Sequence, residues 1–414
     1  MSVYTPYPKV IFAGATEYAD NNISNITISV GRNNIMEQAL AGIISIELWT
    51  DADTPLDVNL SDSVNVQIQD SAGDYQQIAG GLISDINITL DQYGQTGSVA
   101  IYSITAVGPL ATLQKRQSGY NNFPKQFDGD RVYDILVEAY LTSWNEVAPT
   151  LQWGQVSNVT TWENFDGTNI NLVNDLTANV TRPGDFELAA YSAGQTNALT
   201  LAQDAAQSAR GVLYELANGS VGYDAYSDRV SYVPVVLTAD DLLAVGLRQA
   251  AQWSEVVNDV TLYYKNDAIV TSADATSQFT YGKLNGSKTT SLENESDAQD
   301  QADAYIESRA YPRTYPEELT IPLHSPTVSD ATRDLLIALN VNRAVYTQAL
   351  PAVFGGTFDG FIEGIRWNLT RYTAELTLVC SAQSETYPHQ IWLQIPAAVT
   401  WAGYTPVTDR WMDL

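Results

Sequence analysis

Gly81-Leu82-Ile83-Ser84-Asp85-Ile86-Asn87-Ile88-Thr89-Leu90 and Gly360-Phe361-Ile362-Glu363-Gly364-Ile365-Arg366-Trp367-Asn368-Leu369 read as two versions of one phrase. Gly, Ile, Ile and Leu fall in register, and Tyr93 and Tyr372 follow at the same distance. Each phrase runs into an alternating stretch, Val99-Ala100-Ile101-Tyr102-Ser103-Ile104 and Ala374-Glu375-Leu376-Thr377-Leu378-Val379. Alternation of period two is the mark of a strand with one buried face. Gly-started hairpins draw on few residue types, so chance likeness competes with duplication. Duplication implies two related β modules, one toward each end, from which a few copies could build a ring of twice as many similar blocks.

Working outward, the first 113 residues keep this grammar. Ile26, Ile28 and Val30 alternate with Thr27 and Ser29; Ile44, Ile46 and Leu48 repeat the pattern, as do Val64, Val66 and Ile68, and Ile86, Ile88 and Leu90. Gly31-Arg32-Asn33-Asn34 and Ser71-Ala72-Gly73-Asp74 supply turns. Six or seven short strands at regular spacing predict a small barrel or sandwich over residues 1–113.

From Gln114 the period changes. Asp128-Gly129-Asp130 offers a helix cap, and Val132, Ile135, Leu136, Ala139 and Tyr140 make one apolar helical face. A stretch with Trp144, Trp153 and Trp162 follows. A second helix is predicted from Asn197 to Arg210, with Ala198, Leu201, Ala202, Ala205 and Ala209 inward. Asn218-Gly219 between alternating arms predicts a tight hairpin over 213–223. Residues 114–250 therefore read as a smaller α+β region.

Residues 251–385 return to β with inserted helices. Ser296-x-x-Gln299 has the form of a capping box opening a helix to Arg309, with Ala298, Ala302, Tyr305 and Ile306 inward. Another helix is predicted over Asp330–Leu339, carrying Leu335, Leu336 and Leu339, before strands near Ala344–Gln348, Gly360–Leu369 and Thr373–Cys380. Residues 386–414, with Trp392, Trp401, Tyr404 and Trp411, form an aromatic tail expected to pack on its own domain or on a neighbour. The predicted fold class is mainly β with α+β insertions: two related small tube-like β barrels flanking an α/β middle region.

Charge narrows the function classes. Forty-eight acidic residues face 20 basic ones, a net charge of −28, and the excess is spread along the chain. Residues 1–113 hold two basic and 12 acidic side chains, 114–250 hold 8 and 16, and 251–414 hold 10 and 20. Phosphate-neutralising nucleic-acid binding needs a cationic stripe, and the sequence has none. The first residues, Met1-Ser2-Val3-Tyr4-Thr5-Pro6, carry no basic run before an apolar one, and no apolar stretch reaches the ~18 residues of a span. Neither a secretory signal nor a membrane span is expected.

Catalytic constellations are sparse. His324 sits in Pro322-Leu323-His324-Ser325-Pro326 and His389 in Tyr387-Pro388-His389, outside any nucleophile elbow or zinc helix. Cys380, the one cysteine, reads as a packing residue. Asp51-Ala52-Asp53 opens like a calcium loop but lacks the Gly and the closing Glu. Asp297, Asp300 and Asp303 make a helical stripe that reads as solvated. No catalytic residue, cofactor site or metal site is assigned, and the chain is read as a non-enzyme.

Ile28-Ser29-Val30-Gly31-Arg32-Asn33-Asn34, followed by Glu37-Gln38-Ala39-Leu40-Ala41-Gly42-Ile43-Ile44-Ser45-Ile46-Glu47-Leu48, resembles the opening of minor tail proteins of long-tailed bacteriophages. Tyr75–Ile86, Ala106–Leu113, Tyr281-Gly282, Asp297-Ala298-Gln299 and Gly360–Cys380 are similar to later stretches of that family. The resemblance implies a baseplate-hub-type tail hub protein: two tube-like barrels, a homotrimer acting as a pseudo-sixfold ring, and no family catalytic residues. Its implied partners are the tail tube end, the distal tail protein, the tape measure protein and tip or fibre proteins. Genomic DNA is expected only as passing cargo, repelled by an acidic lumen. The implied location is the tail tip of the virion, with assembly in the host cytoplasm. Any lytic or host-binding domain is expected on another protein. A hexameric distal tail ring protein, or a carbohydrate-binding or carbohydrate-degrading virion protein using acidic pairs and aromatic platforms, are the alternatives.

Overall fold

One large mixed sheet dominates the computed structural model, which describes residues 4–14, 16–19, 22–91, 98–140, 169–172, 176–231, 233–242, 247–250, 253–265 and 267–386. The first third forms β1 (Lys9–Phe12), β2 (Thr16–Tyr18), β3 (Ile23–Gly31), β4 (Leu40–Asp51), β5 (Ser63–Gln69), β6 (Tyr75–Asp91) and β7 (Val99–Val107). The alternation that predicted these strands sets their faces: Ile26, Ile28, Ile44, Ile46, Leu48, Val64, Val66 and Ile68 are all buried, with polar residues between them outward.

The middle of the chain is assembled from short pieces. Helix α1 (Pro109–Gln114) leads to strands β8 (Gln117–Ser118) and β9 (Gln126–Phe127) and to α2 (Asp128–Tyr140). After β10 (Asn169–Leu172), β11 (Leu176–Val180), β12 (Glu187–Leu188) and β13 (Thr196–Asn197) comes α3 (Ala198–Ser208). The Asn197 side chain caps α3 by accepting the Thr200 N–H. The Asn-Gly hairpin is present as β14 (Val212–Glu215) and β15 (Val221–Asp224), with Gly219 at φ +79° in its turn. Helix α4 (Tyr226–Ser231) and strands β16 (Val235–Thr238) and β17 (Arg248–Ala250) follow.

A three-stranded sheet is formed by β18 (Asp259–Tyr264), β19 (Ala268–Ala273) and β20 (Asn285–Thr289), with α5 (Ala275–Tyr281) between the last two. Helix α6 (Glu295–Arg309) lies against this sheet. The last described elements are β21 (Tyr315–Pro322), α7 (Asp330–Ile337), β22 (Ala344–Gln348), β23 (Phe358–Leu369), β24 (Ala374–Ala382) and the short α8 (Gln383–Thr386).

The main sheet runs β17-β21-β24-β23-β3-β4-β7-β6-β5-β1-β2, with β22 also beside β23 and β16 parallel to β22. The path is open, ending in β17 and β2, so the expected pair of closed barrels is not what these pairings form. The bridge is the antiparallel pair β3–β23, which joins the two ends of the chain and merges their buried faces into one core. A second core contains α1, α2, α3 and the Asn-Gly hairpin, together with β18, β19 and α6.

Several local expectations are corrected. Helix α6 starts at Glu295 with Asn294 as its N-cap, so Ser296 and Gln299 lie inside it; Gln299 bonds to the Thr271 carbonyl and to Asp303 rather than closing a capping box. In α7, Leu335 is 58% exposed because the buried stripe falls on Arg333, Leu336 and Ile337. Ile88 and Leu90 alternate as expected yet are 58% and 46% exposed, for a reason given below. Trp144, Trp153, Trp162, His389 and the aromatic tail lie outside the described residues. No helix among the described residues is long and apolar enough to cross a membrane.

Candidate functional site: a repeated hairpin with one edge filled and one edge open

The two phrases fold alike. β6 pairs with β7 and β23 with β24, each as an antiparallel hairpin with a bulge. The register slips between Ile83 and Asp85 in the first copy and between Ile362 and Gly364 in the second, which makes Ser84 and Glu363 the equivalent bulged residues. A bulge leaves one residue unpaired and bends its strand. The flanks also correspond: β5 sets Ser63 opposite Leu82, and β22 sets Ala344 opposite Phe361. On the other side of the hairpins, β4 borders β7 as β21 borders β24, and beyond them β3 and β17 occupy corresponding places.

Past the bulge the copies differ. In the second, β3 lies along β23, with Val30 opposite Ile365, Ile28 opposite Trp367 and Ile26 opposite Leu369. Trp367 and Leu369 are 4% and 0% exposed. In the first, residues 85–91 of β6 pair with β7 alone, and among the described residues no strand takes the other side. Ile88 and Leu90, equivalent to Trp367 and Leu369, are therefore exposed. An unpaired edge carrying apolar side chains is a ready template for another strand.

The filled joint is locked by buried charge. Gly31 ends β3 at φ +94°, and an added Cβ would lie 2.4 Å from the Glu363 carbonyl oxygen, so only glycine fits where β3 meets the bulge. Arg32 then turns inward, its N–H donating to the Glu363 carbonyl (2.9 Å) and its Nε to the Glu363 carboxylate (2.6 Å). Arg229 of α4 reaches the same carboxylate from the other side, and Ser381 of β24 donates to it. Arg229 also donates to Asn342 (3.1 Å); Asn342 donates to Asp224 (2.9 Å), which accepts the Tyr214 hydroxyl (3.0 Å). Burial would raise the Glu363 carboxyl, but the two guanidiniums hold it down to about 2.

Two further carboxylates act as anchors, one between the middle region and its neighbours and one within the middle region. Glu215 of the Asn-Gly hairpin accepts the N–H of Gly42 in β4 and of Leu110 at the start of α1, both at 2.9 Å. Desolvation dominates there, pushing its carboxyl up to about 7. Asp128 accepts the N–H groups of Asp185 and Phe186 and the Tyr223 hydroxyl; burial pushes it up to about 6. Its predicted role as a cap gives way to that of an anchor between segments.

The outer face of the sheet carries a continuous polar row across both modules. Through successive pairings Asp85, Thr105, Ser45, Thr27, Asn368 and Glu375 stand side by side on β6, β7, β4, β3, β23 and β24. Beside this row, Arg366 is bound to Glu318 at 2.7 Å. The row itself has two carboxylates and no cation.

The residues weighed for chemistry stay apart. His324 lies in a turn near the Ala374 carbonyl (3.2 Å), and Cys380 is buried, its thiol pushed up by burial. Asp51 accepts the Asp53 N–H (3.0 Å) as a local turn. Among the described residues no three His, Cys, Asp or Glu side chains gather as a metal site. Sequence reading missed Glu363, Arg229 and Glu215; the available signal was a charged residue at the bulge position of an otherwise apolar phrase.

No protein-family model matches the chain, and no curated protein does. Among solved structures the chain is similar to the 43 kDa tail protein of prophage MuSo2 from Shewanella oneidensis, with a TM-score of 0.58, 13% identity, and 92% of this chain and 99% of that one covered. It is also similar to the tail protein from Neisseria meningitidis MC58, with a TM-score of 0.57, 13% identity, and 92% and 98% covered. At this identity the likeness is one of fold. The chain shares the fold of these two tail proteins, in keeping with the resemblance of its sequence to phage minor tail proteins.

Proposed function

We propose that this protein is a structural component of a phage tail, a hub whose three copies form a pseudo-sixfold ring at the end of the tail tube. The observation that carries this reading is the repeated bulged hairpin with one edge filled and, among the described residues, the other without a partner strand. Within the chain, β3 docks past the bulge of β23. The strand corresponding to β3 in the second module is β17, which ends the sheet path. Set past the bulge of β6 on the next copy, β17 would repeat the internal joint between subunits. Such a head-to-tail contact closes into a ring when the rotation per step divides a full turn. Two modules per chain then give six blocks from three chains, whereas a hexamer would have no need of the duplication.

The polar row suits the wall of a conduit for DNA. Carboxylates and hydroxyls repel or ignore phosphates, while each free cation would hold the duplex through counterion release. Its partners in this role are the adjoining proteins of the tail, and DNA is cargo. Native mass measurement and electron microscopy of the purified full chain test the reading. A trimeric ring with a central opening is the expected result; a monomer at all accessible concentrations refutes it. In assembled particles Glu47→Lys, on the same outer face, is expected to leave the ring intact and slow genome release. Unchanged ejection kinetics would remove the electrostatic part.

A further inference from the structure

The likeness between the two modules continues beyond the hairpins into the segment that runs up to each bulge. Ser61 donates its N–H to the Ile83 carbonyl, and Ile83 donates to the Asp62 carbonyl, both at 2.9 Å. In the second module Asn342 donates to the Ile362 carbonyl (2.7 Å) and Ile362 to that of Arg343 (2.9 Å). Ser61 and Asn342 also share a positive φ, +71° and +64°, uncommon for residues other than glycine. Leu60 and Val341, the residues before them, therefore hold the same place beside the bulge. Val341 is 2% exposed and lies against the end of β3, its Cγ1 3.0 Å from where a Cβ on Gly31 would stand. It lines the same small void as Ile365 and Trp367. By this correspondence Leu60, Ile86 and Ile88 make one apolar socket in the first module. Leu60 is 63% exposed there, and among the described residues no strand covers the socket.

Register identifies the group that fits it. Thr27 on β3 faces Ser45, which faces Thr105, which faces Asp85. Arg248 on β17 faces Glu318, which faces Val379, which faces Gly364, the counterpart of Asp85. Thr27 and Arg248 therefore hold the same station. Five residues after Thr27 comes Arg32, which meets the bulge of β23. Five residues after Arg248 comes Trp253, 61% exposed on the subunit. Each follower suits a different bulge. Arg32 finds the carboxylate of Glu363, whereas the bulge of β6 carries the uncharged Ser84. Exchanged, Arg32 would meet no counter-ion at Ser84, and Trp253 would leave Glu363 short of one cation. The two joints are thereby kept from replacing one another.

We propose that Trp253 of one copy fills the socket of Leu60, Ile86 and Ile88 on the next copy and is the anchor of the subunit contact. This rests on the ring reading above and adds to it the side chain that carries the affinity. β17 is three residues long against nine in β3, so backbone pairing alone supplies little. A large aromatic side chain seated in an apolar pocket is the usual source of strength in a contact of this kind. The occupant is a second copy because the β3–β23 joint is its template. The bulge and the turn before it are the same, and β17 stands in the place of β3 with, among the described residues, no strand on its second side.

Association of the full chain, followed by sedimentation and native mass over a range of concentrations, provides the test. Trp253→Ala and Leu60→Ala change exposed positions and should keep the unfolding midpoint of the subunit. Trp253→Ala is expected to weaken association at least about thirtyfold per joint. The double variant should lose less than the product of the two single effects, as residues in direct contact do. Ile269→Ala, exposed on β19 and outside the matched positions, should assemble like the unaltered chain. The thiol of Leu60→Cys should react with a maleimide in the separated subunit and be protected in the ring, while the buried Cys380 is spared. Rings of unchanged affinity in Trp253→Ala would overturn the anchor and leave the ring standing. Protection of Leu60→Cys that survives Trp253→Ala would give the socket to another occupant and overturn it as well. An unaltered chain that stays monomeric refutes the ring and the anchor together.

Discussion

The hairpin β6–β7 and the hairpin β23–β24 share the pairing pattern around an equivalent bulge, and they differ in what lies past the bulge. On β23 a strand from the other end of the chain covers Trp367 and Leu369, and the bulged Glu363 is clamped by two arginines. On β6 nothing among the described residues covers Ile88 and Leu90, and the bulged Ser84 bonds only to Asp85 and to the Thr105 carbonyl. One scaffold thus serves as an internal joint and as a free edge. A bulge splits a strand's outer side into two docking segments, so one strand can hold its own module's neighbour and another module's at once.

The largest expected effect breaks the filled copy. Glu363→Ala leaves Arg32 and Arg229 buried without their shared counter-ion and should cost about 3–5 kcal/mol, read from urea unfolding. A loss below about 1 kcal/mol would mean that the arginines find other partners and that the clamp is not the joint. Breaking the open copy should leave the monomer intact. Ile88→Lys is expected to preserve the circular dichroism and unfolding midpoint of the subunit, yet to weaken ring formation by about 1.5–3 kcal/mol per contact, the value of burying one Ile. Unaltered assembly by native mass would exclude this edge from the interface.

A third variant separates charge from connection. The folded Glu215 carboxyl keeps its proton up to about pH 7, whereas the unfolded one releases it near 4.5. Between those values the folded state binds more protons, so this residue's contribution makes stability fall as pH rises from about 4.5 to 7. Glu215→Gln should flatten that slope, a change on the order of 1–3 kcal/mol across the window, measured as unfolding free energy against pH. An unchanged slope would show that the carboxylate is ionised throughout. The smallest effect is the control at the equivalent bulge: Ser84→Ala should stay within about 0.5 kcal/mol of the unaltered protein. A large loss there would mean that the bulge itself, rather than its ionic clamp, carries the stability.

Much of the fold was legible because strand and helix periods are written locally. Val64, Val66 and Ile68 alternate because a pleated strand sends successive side chains to opposite faces, and Asn218-Gly219 marks a turn because its geometry needs a positive φ. The helix reading failed in detail at α6 and α7. Ser296 and Gln299 have capping chemistry, but Asn294 begins the helix two residues earlier, and Leu335 falls off the stripe that packing selected. The site was far less legible. Nothing within the phrase around Glu363 shows that its carboxylate would meet guanidiniums 331 and 134 positions away.

By itself the sequence determined the strands and their faces, the recurrence of the phrase, and a turn at Gly31-Arg32-Asn33-Asn34. It also determined an anionic surface without a cationic stripe. Only the tertiary structure decided that β3 fills the edge of β23 while, among the described residues, no strand takes the matching edge of β6, and that Arg32 and Arg229 meet on the carboxylate of Glu363. The physical reason is range. Pleat and turn geometry act over a few residues, whereas edge pairing and buried charge depend on which distant segments the whole fold brings into contact.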